Sequence, residues 1–179
     1  MICISRFVNV SGDIDEENEE GGCPQTGAGG SGVRPDRKVT IGRLRMPALF
    51  SDDWMVDFGN AWNDEPELGD ALAKIGFNST IGYGFQGGDK PDGYIKVEGG
   101  YVTAAGAYDG QPLNWDLRAS PADWEKWCSK GIGMMALGMA YSTGKLKFNV
   151  GDYGAMVKNP AMAGPFIKSF DVMGRVPRT

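Results

Sequence analysis

The sequence predicts an α+β domain in which helices cover one face of a mostly antiparallel sheet of about five strands. Three observations carry that expectation. Short runs of alternating apolar residues recur between residues 77 and 150 and are separated by glycine-rich turns, the pattern of locally paired strands. Apolar residues at helical spacing follow Ser51 and Ser120, on either side of most of those runs. A chain of 179 residues that is 41% hydrophobic has material for one ordinary core plus an appendage.

The appendage is residues 1–49, and the domain is residues 50–179. Within the first 32 residues six acids stand against Arg6 alone, and the run from Ser11 to Gly32 is too acidic and glycine-rich to offset its ordering entropy unaided. It reads as a tether or a partner-binding arm. The apolar tip, with Ile2, Ile4 and Phe7, and the acids Glu16, Glu17, Glu19 and Glu20 are its candidate contacts for a protein partner. A short basic run over residues 33–45 follows, too small and too close to acids to mark a nucleic-acid footprint.

Ser51 reads as an N-cap, with Asp52 and Asp53 suited to the dipole of the first turn. Trp54, Phe58, Ala61 and Trp62 then form one apolar face. Asp64, Pro66 and Glu67 suggest a second helix start, with Leu68, Leu72 and Ile75 as its buried stripe before Gly76. Phe77 to Phe85 alternates as a strand. Ile95 and Val97, Gly99-Gly100 and Tyr101 to Ala105 read as a hairpin, and the next strand sets Leu113, Trp115 and Leu117 on one side and Asn114, Asp116 and Arg118 on the other.

Ser120-Pro121-Ala122-Asp123 combines a cap, a first-turn proline and an acid at N3, a specific helix start. Trp124, Trp127 and Cys128 share one face of that helix, and Gly131 ends it. Ile132 to Tyr141 contains Met134, Met135 and Met139 and no charged residue, so burial almost all round is expected. Leu146, Phe148 and Val150 then alternate with Lys145, Lys147 and Asn149 as a half-buried strand. Phe166, Phe170 and Met173 have helical spacing after Pro165.

The run Gly144-Lys145-Leu146-Lys147 followed by Gly151-Asp152-Tyr153-Gly154-Ala155-Met156-Val157-Lys158 resembles the last strand and following helix of the sterol carrier protein type 2 family. More loosely, the order of elements from about Phe50 to Phe170 is similar as well. This chain has one residue more between the two halves of the motif, which calls for a bulge or a longer turn. The resemblance implies an apolar cavity between sheet and helices and the non-catalytic binding of a sterol, a fatty acyl chain or another hydrophobic molecule, for transfer or presentation. It directs attention to Trp54, Phe58, Trp62, Trp124, Trp127, Met134, Met135, Met139, Phe166 and Phe170 as ligand contacts. Nine methionines and nineteen aromatic residues suit an adaptable wall, although such stripes also serve simply as core.

The chain contains no histidine, which removes Ser-His-Asp and Cys-His arrangements and histidine metal ligands together. Its acids read as caps and turn residues rather than as an acid and base pair. No Walker sequence or dinucleotide-binding glycine pattern is present, and no residue pattern calls for a metal or cofactor. Cys3, Cys23 and Cys128 are too few and too dispersed for a C-x-x-C site and read as reduced thiols. No apolar run approaches a membrane span, and the start lacks a signal peptide's apolar core, so a cytoplasmic protein is expected. Because a simple carrier does not need so long an arm, the alternative is an accessory subunit of an enzyme complex, held to its partner by residues 1–49.

Overall fold

The computed structural model describes residues 46–179. Helix α1, Asp52–Asn63, begins after Phe50, which lies in the left-handed region with φ 64° and is fully buried. That conformation is costly for a bulky residue. It persists because the Phe50 ring is wedged among Trp54, Tyr83, Phe85 and Trp124, with centroids 5.0–5.9 Å away. Ser51 occupies the N-cap position, but its side chain makes no capping bond; its Oγ is buried without a partner. Trp54, Met55, Phe58 and Trp62 form the buried face of α1.

The second helix is shorter than its sequence pattern suggests. Turns occupy residues 66–68, and α2 runs only from Gly69–Ala73. The carboxylate of Glu65 is committed elsewhere, accepting a hydrogen bond from Arg175 Nη1 at 2.6 Å.

Strands β1 (Ser79–Phe85), β2 (Gly93–Glu98) and β3 (Tyr101–Ala107) form an antiparallel meander. Gly99 and Gly100 make the β2–β3 turn, both with positive φ, as a tight hairpin turn of the primed type requires. Strand β4 (Trp115–Ala119) inserts beside β1, parallel to it, and β5 (Leu146–Val150) pairs antiparallel with β4. The sheet is therefore mixed, in the order β3-β2-β1-β4-β5.

Both edge strands carry a register shift. Leu117 pairs with Phe148 and Asp116 with Val150, leaving Asn149 unpaired in β5; Thr103 is left out of β3 in the same way. The stretch between the two halves of the sequence motif thus contains a bulge, at Asn149. Paired residues point to the same side of a sheet, so the bulge transfers Val150 from the face of Leu146 and Phe148 to the face of Asp116. There Val150 is 41% exposed, which corrects the simple alternation read from the sequence.

Helices α3 (Pro121–Lys130), α4 (Met134–Ser142), α5 (Tyr153–Lys158) and α6 (Pro160–Arg175) complete the fold. The α3 cap follows its sequence signature, with the Ser120 side chain accepting from the Asp123 amide at 3.1 Å. Asp152 and Asn159 cap α5 and α6 in the same manner. Helix α6 starts five residues earlier than Pro165 suggested, because Pro160 takes the first-turn position and Pro165 is carried inside the helix. It packs along α1, α2, α3 and α5 on one face of the sheet.

The opposite face of the sheet has its own cover. A side chain at Gly82 would strike Pro91 and Leu113, and one at Gly84 would strike Asp92 and Pro91, so these glycines admit the flanking loops onto the strand. Leu113 consequently lies outside β4 and on this outer face, not beside Trp115 and Leu117. The same cover buries Asp116 and Arg118.

Helix α4 departs most from expectation. Only Leu137 and Ala140 of its apolar residues are buried, against β5 and α6, while Met134, Met135 and Met139 are 41%, 88% and 65% exposed. A helix that is apolar on every side has no sequence preference for which face turns inward. Its placement at the margin of the helical layer leaves the rest uncovered.

Candidate functional site

Between the β1–β4 centre of the sheet and helices α5 and α6 lies an apolar cavity of about 30 Å³. Its buried wall is made by Trp62 of α1, Leu72 of α2, Ile81 and Leu117 on the sheet, and Met156 of α5. Phe77, Trp115, Met162 and Phe166 are partly exposed and form the rim.

Each lining side chain is set by its element. Strand alternation turns Ile81 inward, and parallel pairing sets Trp115 opposite Ile81 and Leu117 opposite Tyr83. The indole N–H of Trp62 donates to the Gly100 carbonyl at 3.0 Å, which satisfies its polar edge and leaves the ring for the cavity. Met162 and Phe166 are four residues apart on α6 and so share a helix face. Between them Gly164-Pro165 interrupts the helix: proline has no amide hydrogen, so the carbonyl of Ala161 loses its ladder partner.

No lining residue is ionisable, so the cavity contains no side-chain acid, base or thiol nucleophile. Polar groups near the core are inert or isolated. Burial raises the Tyr83 phenol far above its ordinary value and pushes the Cys128 thiol up to about 11. Ser79, on the same strand face as Ile81, is buried with its Oγ lacking a hydrogen-bond partner. Among the described residues no group of three or more potential acidic, cysteine or histidine ligands is gathered for a metal ion.

Of the ligand contacts expected from the sequence, Trp62 and Phe166 line this cavity. Trp54, Phe58, Trp124, Trp127 and Phe170 instead interlock behind it as a continuous aromatic core, with successive centroids 5.4–6.3 Å apart through Trp62 and Tyr83. Met134, Met135 and Met139 lie on α4, away from its lining. The arm residues Ile2, Ile4, Phe7, Glu16, Glu17, Glu19 and Glu20 lie outside the described residues.

Sequence reasoning missed Leu72, Phe77, Ile81, Trp115, Leu117, Met156 and Met162. A signal existed for several of them: Ile81, Trp115 and Leu117 belong to the inward set of their strands, and Met156 lies in the glycine-rich motif after β5. Which inward residues surround empty space, however, is decided by how α5 and α6 meet the sheet.

Among the described residues no helix is long and apolar enough to cross a membrane. No family model and no curated protein matches the sequence. The fold is similar to a crystal structure of sterol carrier protein 2, with a TM-score of 0.58 and 16% identity over 72% of this chain and 98% of that one. It is equally similar to the solution structure of a conserved hypothetical protein from Thermus thermophilus, with a TM-score of 0.58 and 15% identity over 75% of this chain and 94% of that one. The mixed five-stranded sheet, with β4 inserted parallel to β1 and the helices gathered on one face, is therefore the fold of a sterol-carrier-protein-2-like domain.

Proposed function

We propose that the domain binds an apolar molecule, such as a fatty acyl chain or a sterol, without chemical conversion and holds it for transfer or presentation. The observation that carries this reading is the cavity: an apolar lining with no ionisable group, rimmed by Phe77, Trp115, Met162 and Phe166. Its present volume of about 30 Å³ has room for little more than water, whereas ligand pockets run to about 300–1,000 Å³. A ligand must therefore displace side chains. Met156 and Met162 have the unbranched, low-barrier chains that such a displacement needs. Phe166 can follow because the α6 ladder is already interrupted at Pro165.

The test is titration of the intact protein with an anthroyloxy-labelled fatty acid and with dehydroergosterol, read by tryptophan quenching and by melting temperature. Saturable quenching is expected, since Trp62 and Trp115 line the site. Met162→Arg should weaken binding by at least about tenfold, because it places a charge at an apolar rim, and Lys147→Ala should leave it unchanged. Saturating probe with neither a spectral change nor a melting shift would sink the proposal.

A further inference from the structure

The geometry points to a second site, a polar pocket on the outer face of the sheet that takes a phosphate group. The pocket, of about 90 Å³, is lined by Gln86, Gly87, Gly88, Arg118, Lys147 and Asn149. A water molecule needs about 10–15 Å³ of such space, so there is room for a compact polyatomic ion. It is separate from the apolar cavity, because Arg118 and Lys147 alternate with the inward Leu117, Leu146 and Phe148 and so stand on the other side of the sheet.

The strand order builds this pocket. Strand β4 lies between β1 and β5, so Arg118 supplies the floor, the turn after β1 one wall and β5 the other. Strands two positions apart are about 10 Å from each other, a spacing that suits a small ion. Gly87 turns the chain with φ 93°, and Gly88 lets the turn lie against Arg118, whose Nη1 is 3.6 Å from where a Cβ would stand. Gln86 ties the two walls together, its Nε2 donating to the carbonyls of Gly144 and Lys145 at 3.0 and 2.9 Å. Asn149, the unpaired residue of the β5 bulge, stands with Lys147 on the far wall.

Charge selects an anion. Lys147 is the register partner of Arg118, and like charges directly opposite each other on two strands are unfavourable. Asp116 balances the guanidinium, but among the described residues the Lys147 ammonium enters no ion pair; its neighbour Lys145 is the one that meets Asp123. No carboxylate is among the lining residues. The pocket therefore holds two cations, one of them unbalanced, on a chain whose net charge is −5.

The donors separate phosphate from carboxylate. A carboxylate is recognised best by the two-pronged edge of an arginine. That edge of Arg118 already holds Asp116, and its Nη1 donates to the carbonyls of Gly88 and Phe85. What remains are single donors beside the guanidinium, the Lys147 ammonium and the Asn149 carboxamide. Donors of this kind suit the tetrahedral oxygens of a phosphate, for which lysine acts as a point charge. Free phosphate and a small phosphomonoester share this chemistry.

Isothermal titration calorimetry of the full chain tests the proposal, with inorganic phosphate, glycerol 3-phosphate and acetate as separate probes and sodium chloride holding the ionic strength at about 0.1 M. Melting temperature under the same conditions is a second readout. Saturable binding of phosphate is expected, at least about tenfold tighter than that of acetate. Tighter binding of glycerol 3-phosphate would identify an esterified ligand, and tighter binding of inorganic phosphate the free ion. Lys147→Gln should weaken binding at least about tenfold and Asn149→Leu about threefold or more, while Lys147→Arg should retain it. Both residues are exposed, so neither change should lower the melting temperature without phosphate. Lys147→Gln should even raise it slightly, since a like-charge contact with Arg118 is removed. Met162→Arg, which alters the apolar cavity, should bind phosphate as the wild type does, so the two sites fail separately. Absence of saturable binding, equal affinity for acetate, or an affinity unchanged by Lys147→Gln would each overturn the inference. So would a lower melting temperature of Lys147→Gln in phosphate-free buffer, because the lysine would then be a structural contact.

Discussion

Asp116 and Arg118 stand two residues apart on β4 and clasp each other in a two-point ion pair, with Arg118 Nη2 donating to Asp116 Oδ2 at 3.0 Å and Nε to Oδ1. Both are buried beneath the outer loops, and Arg118 Nη1 donates in addition to the Gly88 carbonyl at 3.0 Å. The pair joins the sheet to the loop that covers it.

Removing one member leaves the other buried and uncompensated. Asp116→Ala should destabilise the domain by about 3–5 kcal/mol, whereas Asp116→Leu combined with Arg118→Met should cost far less, since both desolvation penalties then vanish together. Denaturant unfolding of the three proteins checks this. A double variant as unstable as the single would show that packing, not charge, dominates the site.

Two glycines of α6 should respond in opposite ways to the same substitution. An added methyl at Gly164 meets open space, so Gly164→Ala should stabilise by about 0.5–1 kcal/mol and stiffen the helix at the cavity rim, slowing uptake of a fluorescent fatty acid in stopped flow. At Gly174 the methyl would collide with the Cys128 carbonyl of α3, so Gly174→Ala should destabilise by about 2–3 kcal/mol. Thermal melts that rank the two variants the other way would contradict the packing described.

The Glu65 cluster makes stability depend on acid. The Arg175 hydrogen bond, aided by Lys168 3.9 Å away, holds the Glu65 carboxyl below its ordinary value of 4.5. A depressed folded-state value means that the contribution is complete above the unfolded value and is lost as pH falls through the folded one. The melting-temperature difference between the wild type and Glu65→Gln should therefore be greatest above about pH 5 and shrink below it. A constant difference would mean that Glu65 acts only through its packing.

Local signals made much of the fold legible. Ser120 and Asp123 fixed the start of α3, Gly99-Gly100 the hairpin, and alternation the inward faces of β1 and β2. Most of what escaped was non-local. Pro165 reads as a helix start only when Asn159-Pro160 is passed over; that pair, a cap followed by a first-turn proline, is a local signal that the helix has already begun. Asp116 and Arg118 carry no mark of burial, since the loops that bury them come from elsewhere in the chain. In α4, apolarity on every side did not show which face would turn inward. The lining of the cavity was legible only in small part: Trp62 and Phe166 lie on helix faces that periodicity identifies, while Met162 and Trp115 line the cavity through an encounter of elements that no single segment encodes.

The attachment of α1 to β3 has a consequence for colloidal behaviour. Asn63 donates to the Val102 carbonyl at 2.9 Å and accepts from the Val102 amide at 2.7 Å, and Asp52 accepts from the Ala107 amide at 2.9 Å. The helix thus uses its two ends to occupy hydrogen-bonding groups along a strand border, and the unpaired Thr103 breaks the spacing between them. At the opposite border Asn149 does the same to β5. An incoming strand from another molecule would find no regular row of free donors and acceptors on either side, so a chain with an uncovered apolar helix is protected from growing into fibrils by way of its sheet.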